Sequence, residues 1–187
     1  MTNSVPPVNS DRSSIAVFGT GCFWCSEAVF TELKGVLEVK PGYMGGDPAR
    51  ANYKDVCEGD TGHAEVSRLI FDPQVITYDQ LLEVFWKTHD PTSLNRQGGD
   101  VGTQYRSAIF FTDDDQKTKA LDQRERLNKS GAWERPIVTE IVAMEEFYPA
   151  ENYHHDYFAN NPEQGYCRMV IQPKMEQFRK AFKDQLK

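Results

Sequence analysis

Long hydrophobic runs are absent from the sequence. Hydrophobic residues make up 39% of the 187 residues and charged residues 26%, which is the ordinary balance of a globular domain. No apolar stretch approaches the roughly 20 residues of a membrane-spanning helix. The first residues, MTNSVPPVNSDRSS, also lack the basic start and the apolar core of a secretory signal. We therefore expect a cytoplasmic protein without a membrane partner.

Basic residues are outnumbered by acidic ones. The chain has 21 Lys and Arg against 28 Asp and Glu, which gives a formal net charge of −7. Proteins that bind nucleic acid need a basic surface to neutralise the phosphates. The charge balance therefore predicts that nucleic acid is not a partner.

Cysteines are scarce as well. Four in a chain of this length are too few and too scattered for a disulfide framework, and a reducing compartment would keep them as thiols. A structural zinc site usually takes two close pairs of ligands, and only one close pair exists here. Three of the histidines, His63, His154 and His155, show no metal-binding spacing. We expect neither a metal nor another cofactor. The cysteines are Cys22, Cys25, Cys57 and Cys167.

Strand and helix patterns alternate along the chain, without internal repeats. The clearest helix pattern covers 77–91, where Thr77 and Gln80 form a capping box ahead of an apolar stripe. Another helix is predicted to open at the C-x-x-C segment and to stop at Gly35. The remaining helix patterns cover 113–131 and 174–185, and the strand patterns cover 14–19, 35–46, 63–73, 106–112 and 135–144.

This alternation predicts one domain of the α+β class. We expect a ferredoxin-like α/β sandwich with helices on a mixed or antiparallel sheet, formed by residues 14–187. Residues 1–13 are predicted to be a disordered arm. The last 43 residues are rich in Tyr, His, Asn and Pro, which predicts an irregular C-terminal segment.

Residues 19–27, GTGCFWCSE, place two thiols around two aromatic side chains. The first turn of a helix offers unpaired N–H groups and a positive dipole end, so we expect the pKa of Cys22 to lie below the ordinary value of about 8.5. Cys25 follows about one turn later. The residues alone allow three interpretations of this pair: a catalytic dithiol, part of a metal site, or two small buried hydrophobic side chains. Phe23 and Trp24 favour chemistry, because they would form an apolar wall suited to a methyl group.

The segment GCFWCSEAVF resembles the active-site signature of the A-type peptide methionine sulfoxide reductases. Further segments occur in that family's order, and together they cover roughly residues 15–172. The resemblance implies thiol-dependent reduction of the S epimer of methionine sulfoxide, free or in peptides and proteins, with thioredoxin regenerating the thiols. These segments are GYMGG, YKDVCEGDTGHAEV, LLEVFWKTHDPTSLNRQGGDVGTQYRSAIFF and AENYHHDYF.

The resemblance also implies roles for individual residues. Reduction of a sulfoxide needs a nucleophile for sulfur and an acid for the departing oxygen. By resemblance Cys22 is the nucleophile, which becomes a sulfenic acid, and Glu65 is the proton donor with a raised pKa. Phe23 and Trp24 form the methyl pocket. Taken singly, Glu65 would be an exposed residue at the start of a strand.

Polar and covering residues complete the implied site. Tyr53 and Tyr105 resemble the paired tyrosines that hydrogen-bond the sulfoxide oxygen, although a single tyrosine is more often core or rim. Asp100 resembles a residue that orients the polar network. His154 is expected to support the site through a hydrogen bond, under a packed loop that holds Tyr153, Tyr157 and Phe158.

The thiol that resolves the sulfenic acid stays open between Cys25 and Cys167. Many family members with the form G-C-F-W-G resolve with a cysteine near the C-terminus, which Cys167 matches. Cys25 is nearer in sequence, but a C-x-x-C pair inside a regular helix is hard to bridge unless the first turn frays. Cys167 requires its loop to move. Cys57 is interpreted as structural.

Two other functions compete with the reductase. A thioredoxin-type dithiol–disulfide oxidoreductase would explain the C-x-x-C pair but not Glu65 or the tyrosines. A Cys/His metal-binding or redox-sensing module would be no enzyme, and a bound zinc ion would distinguish it.

Overall fold

A computed structural model describes residues 13–187. The predicted arm, residues 1–13, therefore lies outside the described residues except for residue 13. The strands are β1 Ser14–Thr20, β2 Val36–Met44, β3 Ala64–Phe71, β4 Arg96–Gln97, β5 Asp100–Val101, β6 Ser107–Phe111, β7 Glu140–Ala143 and β8 Tyr148–Pro149. The helices are α1 Phe23–Thr31, α2 Tyr53–Val56, α3 Tyr78–Lys87, α4 Asp114–Ser130, α5 Tyr157–Asn160 and α6 Gln172–Ala181.

Six strands form one mixed sheet in the order β7-β6-β1-β3-β2-β8. The strands β1, β2, β3 and β6 pair antiparallel in the order β6-β1-β3-β2, while α1 follows β1 and α3 follows β3. This is the strand–helix–strand–strand–helix–strand arrangement of ferredoxin-like domains, so the predicted α+β class is confirmed. β7 adds a parallel strand beside β6, and β8 pairs antiparallel with β2.

Alternating side chains give the sheet two apolar faces. On one face Ala16 and Phe18 of β1 meet α1 and α3 in the main core. On the other face Val17 packs with Phe110 of β6, and Phe147 partly covers this smaller cluster. α1 and α3 therefore lie on one face of the sheet, and Cys22 and Cys25, at the start of α1, belong to this main core.

Local sequence explains where the helices begin. Thr77 and Gln80 form the predicted capping box at the start of α3, with both reciprocal hydrogen bonds present. Gly131, in the left-handed conformation at φ 72°, ends α4. α1 begins after Cys22, whose extended backbone (ψ 126°) sets it at the N-cap, outside the regular helix.

The C-terminal third departs from the predicted strand pattern. The strand predicted at 135–144 is reduced to Glu140–Ala143, the stretch that pairs with β6. The backbone N–H groups of Ile137 and Val138 donate instead to the side chain of Asn128 and to the carbonyl of Pro91, so the ladder begins only at Glu140. The segment predicted to be irregular holds β8, α5 and a π-helical turn, Cys167–Ile171, that leads into α6.

Truncation of Phe18 to alanine tests the main core. Phe18 is fully buried, and its ring centroid lies 5.4 Å from that of Phe30 and 5.2 Å from that of Phe85. We expect Phe18→Ala to lower the free energy of unfolding by about 3–5 kcal/mol, as for other buried Phe truncations. Urea unfolding measures it, with Leu37→Ala, at a side chain 45% exposed, as the matched control. Equal losses in the two variants would contradict this core assignment.

Candidate active site

A glycine turn delivers the thiols to the start of α1. Gly21 has a φ of 103°, and a Cβ at this position would lie 2.7 Å from the Cβ of Gln97. Only glycine therefore fits between β1 and the hairpin of β4 and β5 without strain. The turn leaves Cys22 8% exposed and Cys25 3% exposed, with both thiols free.

The expected low pKa of Cys22 is wrong. Burial raises the pKa of this thiol well above its ordinary value, its hydrogen bond with Cys25 and the nearby Glu65 charge raise it further, and the backbone N–H of Trp24 opposes them. The prediction considered the helix end and left out the cost of desolvating a thiolate. The resting Cys22 is therefore a neutral thiol.

Cys25 shows the opposite behaviour. A hydrogen bond from Cys22 lowers the pKa of Cys25 to about 7 against the effect of burial, and the Lys174 charge and the Tyr166 hydroxyl lower it further. Of the two thiols, Cys25 is therefore the more acidic.

Glu65 is a buried acid beside the thiols. It lies on β3, is 2% exposed, and its carboxyl accepts the backbone N–H of Phe23 at 3.2 Å. Burial raises its pKa to about 8; the N–H of Phe23 lowers it, and the charges of Asp100 and Cys25 raise it. The expected raised pKa is confirmed, and the plainer interpretation of an exposed strand end is wrong. The site thus holds a carboxylic acid that keeps its proton at neutral pH.

Two phenols lie beside this acid. Tyr53 is the first residue of α2, and Tyr105 ends a short 3₁₀ turn before β6; both are half-buried. Burial raises the pKa of each, and the charges of Glu65 and Cys22 raise both further. The structure therefore brings both tyrosines together with the acid and the first thiol, as neutral hydroxyl donors.

Asp100 reaches the thiols through a residue that the sequence analysis missed. The hydroxyl of Tyr166 donates to Oδ2 of Asp100 at 2.6 Å and lies 3.8 Å from Sγ of Cys25. Burial raises the pKa of Tyr166, and the two neighbouring thiol groups and the hydrogen bond to Asp100 raise it further. Its position directly before Cys167 was the only signal in the sequence.

The two aromatics between the thiols differ in exposure. Phe23 is fully buried in a cluster with Tyr43 and Val56, so it supports the site from the core. Trp24 is half-buried and offers the accessible apolar surface. The indole Nε1–H donates to Nδ1 of His154 at 2.9 Å.

The loop after β8 covers Trp24 as expected, but not all of the residues that were predicted to cover the site contact Trp24. His154 is fully buried, and its hydrogen bond to Trp24 is the expected supporting contact. Tyr157 stacks on the indole with ring centroids 3.8 Å apart and 7° between the planes. Phe158 packs against the main core, whereas Tyr153 is 59% exposed.

The other two cysteines are placed differently from each other. Cys167 is fully buried in the π-helical turn, and burial raises its pKa, with a smaller contribution from the charge of nearby Cys25. Cys57, interpreted as structural, is instead exposed and hydrogen-bonds to the Tyr53 hydroxyl at the edge of the site.

His63, like His154, is hydrogen-bonded within the protein. His63 accepts the N–H of Gly46 at 3.1 Å, and its other ring nitrogen bonds the carbonyl of Asp47 at 2.7 Å. Over residues 13–187, no group of three or more His, Cys, Asp or Glu side chains has a geometry that would hold a metal ion. In the same range no helix has the length and apolar character needed to cross a membrane.

Comparisons with known proteins give one consistent family. The family model for peptide methionine sulfoxide reductase matches residues 14–186. The peptide methionine sulfoxide reductase MsrA of Nautilia profundicola is 54% identical over 165 residues, 88% of this chain and 94% of that protein. The protein of the same name from Deinococcus radiodurans is 51% identical over 186 residues, 100% of this chain and 90% of that protein.

Solved structures agree with the sequence matches. Mxr1 from Saccharomyces cerevisiae in its reduced form matches with a TM-score of 0.79 and 34% identity, covering 85% of this chain and 91% of that chain. Mxr1 in complex with Trx2 matches at a TM-score of 0.56 and 21% identity, over 84% of this chain and 92% of that chain, which shows the shared fold.

The buried proton of Glu65 gives a pH-dependent stability. The pKa of Glu65 in the folded protein is about 8, against an ordinary 4.5. The stability that this proton contributes to the folded protein is therefore fully present below about pH 4.5 and is lost as the pH rises through 8. Glu65→Gln has no such proton to lose. We therefore expect its free energy of unfolding, relative to wild type, to increase between pH 6 and pH 9 in urea titrations. A constant difference over that range would contradict the raised pKa.

Proposed function

Because this chain belongs to the peptide methionine sulfoxide reductase family, we propose that Cys22 and Cys25 carry out the reduction of methionine sulfoxide in two steps. The observation that carries the proposal is the position of Glu65. A carboxyl with a pKa of about 8 is tied to the first turn of α1 beside the Cys22 thiol. A proton and a nucleophile are thus available together, as reduction at sulfur requires.

In the first step Cys22 attacks the sulfoxide sulfur. Its proton passes to the Cys25 thiolate, which already accepts the hydrogen bond of that thiol. Glu65 protonates the sulfoxide oxygen, which then transfers as hydroxyl to the Cys22 sulfur. Methionine leaves with its sulfur reduced by two electrons, Cys22 becomes a sulfenic acid, and Glu65 is left as a carboxylate.

The substrate is held by groups around this reacting centre. The hydroxyls of Tyr53 and Tyr105, kept neutral by burial, donate to the sulfoxide oxygen. The accessible face of Trp24 contacts the S-methyl group, with Phe23 supporting it from below. We assign the S epimer, free or within peptides and proteins, as the substrate.

In the second step Cys25 attacks the sulfenic acid. The Cys25 thiol displaces the Cys22 hydroxyl, a disulfide forms and water leaves. Cys22 stands at the N-cap with an extended backbone, so the pair is not confined within a regular helix, which removes the expected obstacle to bridging. Tyr166, held by Asp100, lies against Cys25 and positions it. Cys167 lies near Cys25 and is the alternative resolving thiol.

A dithiol protein then restores the thiols. We propose thioredoxin as this reductant, supported by the solved complex of the yeast relative Mxr1 with Trx2. A transient disulfide also suits a reducing compartment, where the four free thiols persist, so we place the protein in the cytoplasm. Residues 14–187 would act as one catalytic domain. The dithiol-oxidoreductase and metal-module hypotheses lose their basis, since neither accounts for a protonated Glu65 beside the thiols.

Single-cysteine variants test the assignment of the two thiols. With an epimerically pure S-sulfoxide and thioredoxin, we expect Cys22→Ser to form no methionine. We expect Cys25→Ser to stop after one methionine per enzyme, because its sulfenic acid is not resolved, while Cys167→Ser continues to turn over. Methionine formed per enzyme is measured by chromatography. Sustained turnover by Cys25→Ser together with a stalled Cys167→Ser would assign resolution to the C-terminal thiol.

Glu65→Gln tests the proton donor. We expect the rate of methionine formation in a single turnover to fall about 100-fold or more, the range found for loss of a general acid. The wild-type rate should also decline as the pH rises through about 8, where Glu65 loses its proton, and this decline should be absent in the variant. Rapid-mixing experiments at several pH values measure both the single-turnover rate and its pH dependence. A change smaller than twofold would remove Glu65 from the chemistry.

A further inference from the structure

The reduction leaves one buried acid unused. Glu27 lies on α1 and is 4% exposed. No ion pair among residues 13–187 involves it, and burial raises its pKa to about 7. An acid buried without a cation is costly unless hydrogen bonds compensate it, so its partners indicate what it does.

Those partners lie in the loop that covers the site. The Glu27 carboxyl lies at the backbone N–H groups of Asp156 and Tyr157, at the start of α5, and lines one cleft with Asp156, Phe158 and Ala159. The first N–H groups of a helix have no partner within it, and the side chain of Asp156 makes no capping bond here. Asp156 also adopts a left-handed conformation at φ 54°, which a non-glycine residue holds only when its surroundings fix it. Glu27 is thus a cap supplied to α5 from α1.

The same loop holds Trp24 from two sides. His154 accepts the indole N–H at 2.9 Å, and Tyr157 stacks on the indole ring at 3.8 Å. Trp24 and Glu27 are three residues apart, hence one turn apart on α1 and on the same side. The loop is therefore fastened to α1 at Glu27 next to the point where it clamps Trp24.

We propose that Glu27 is a positioning residue for the methyl-binding surface: by fastening the loop over Asn152–Asn160 to α1, it fixes the plane of Trp24. The inference rests on the proposed function in one respect, the contact of Trp24 with the S-alkyl group. Glu27 touches neither thiol nor Glu65, so its loss loosens the substrate surface and leaves the reacting groups in place.

Glu27→Gln weakens this attachment with little change in volume. The amide keeps one acceptor oxygen but loses the charge and the second acceptor. We expect KM for methionine sulfoxide to rise about fivefold, in the range of one buried hydrogen bond, with kcat within about twofold. If the Trp24 indole is no longer held in one plane, it distinguishes less well between an S-methyl and an S-ethyl group. The ratio of kcat/KM for methionine sulfoxide to that for ethionine sulfoxide should therefore fall.

Glu32→Gln is the matched control. Glu32 stands at the C-terminal end of the same helix and lines the same cleft, but among residues 13–187 its carboxylate bonds Arg179 and no residue of the loop that holds Trp24. The control removes one carboxylate from α1 as well, and we expect its KM and its methyl-to-ethyl ratio to match wild type. Glu27→Asp, which retains the charge but shortens the reach, should behave like Glu27→Gln and serves if the amide variant does not fold.

The outcomes separate this inference from the function on which it rests. A raised KM with a reduced methyl-to-ethyl ratio in the Glu27 variants, and not in Glu32→Gln, supports the positioning role. A lower thermal midpoint with wild-type KM and ratio would overturn it, because Glu27 would then serve stability alone. Equal changes in Glu32→Gln would overturn it too. Failure of the proposed function would appear in a different experiment, the single-cysteine test, in which Cys22→Ser would still form methionine.

Discussion

The hydrogen bond from the Phe23 backbone to Glu65 joins the two halves of the chemistry. It ties the second residue of the C-x-x-C segment to the third strand of the sheet, so the acid and the thiols keep a fixed relation even though 42 residues separate the bonded pair. The bond also offsets part of the cost of burying the carboxyl. Tyr53, Tyr105 and the thiols then surround a single acid, and every proton movement in the proposed reaction begins or ends within this group.

Two opposing effects act on the Cys22 thiol, and their sizes decide its resting state. A helix terminus contributes roughly 0.3–1 kcal/mol to a nearby charge, rising to about 2 in favourable cases. Desolvation of a fully buried group shifts its pKa by up to about 3–5 units, at about 1.4 kcal/mol for each unit. Burial therefore prevails at Cys22, and the thiolate is held by Cys25, which receives a hydrogen bond from Cys22 and the field of Lys174. In the proposed reaction Cys25 serves first as the base for Cys22 and later as its partner in the disulfide.

Local patterns in the sequence sufficed for most of the fold. The capping box of α3 and the apolar runs of the central strands depend on neighbouring residues, and they predicted the elements to within a few positions. The resemblance to a known family, rather than spacing, supplied Glu65 and the tyrosines. Tyr166 and the cap that Glu27 gives to α5 escaped notice, because their partners are far away along the chain and leave no periodic signal. The acidity of Cys22 was misjudged for the same reason, since burial is a property of the assembled core.

The contact between Gly21 and Gln97 binds the thiol turn to the hairpin of β4 and β5, which also carries Asp100. Gln97 also bonds the loop after α3 twice, through the N–H and the carbonyl of Asp90. Any side chain at position 21 would be strained at this φ of 103° and would also press on Gln97, whose two bonds hold the Asp90 loop. A substitution in the thiol turn would therefore disturb the hairpin and the Asp90 loop as well as the thiols.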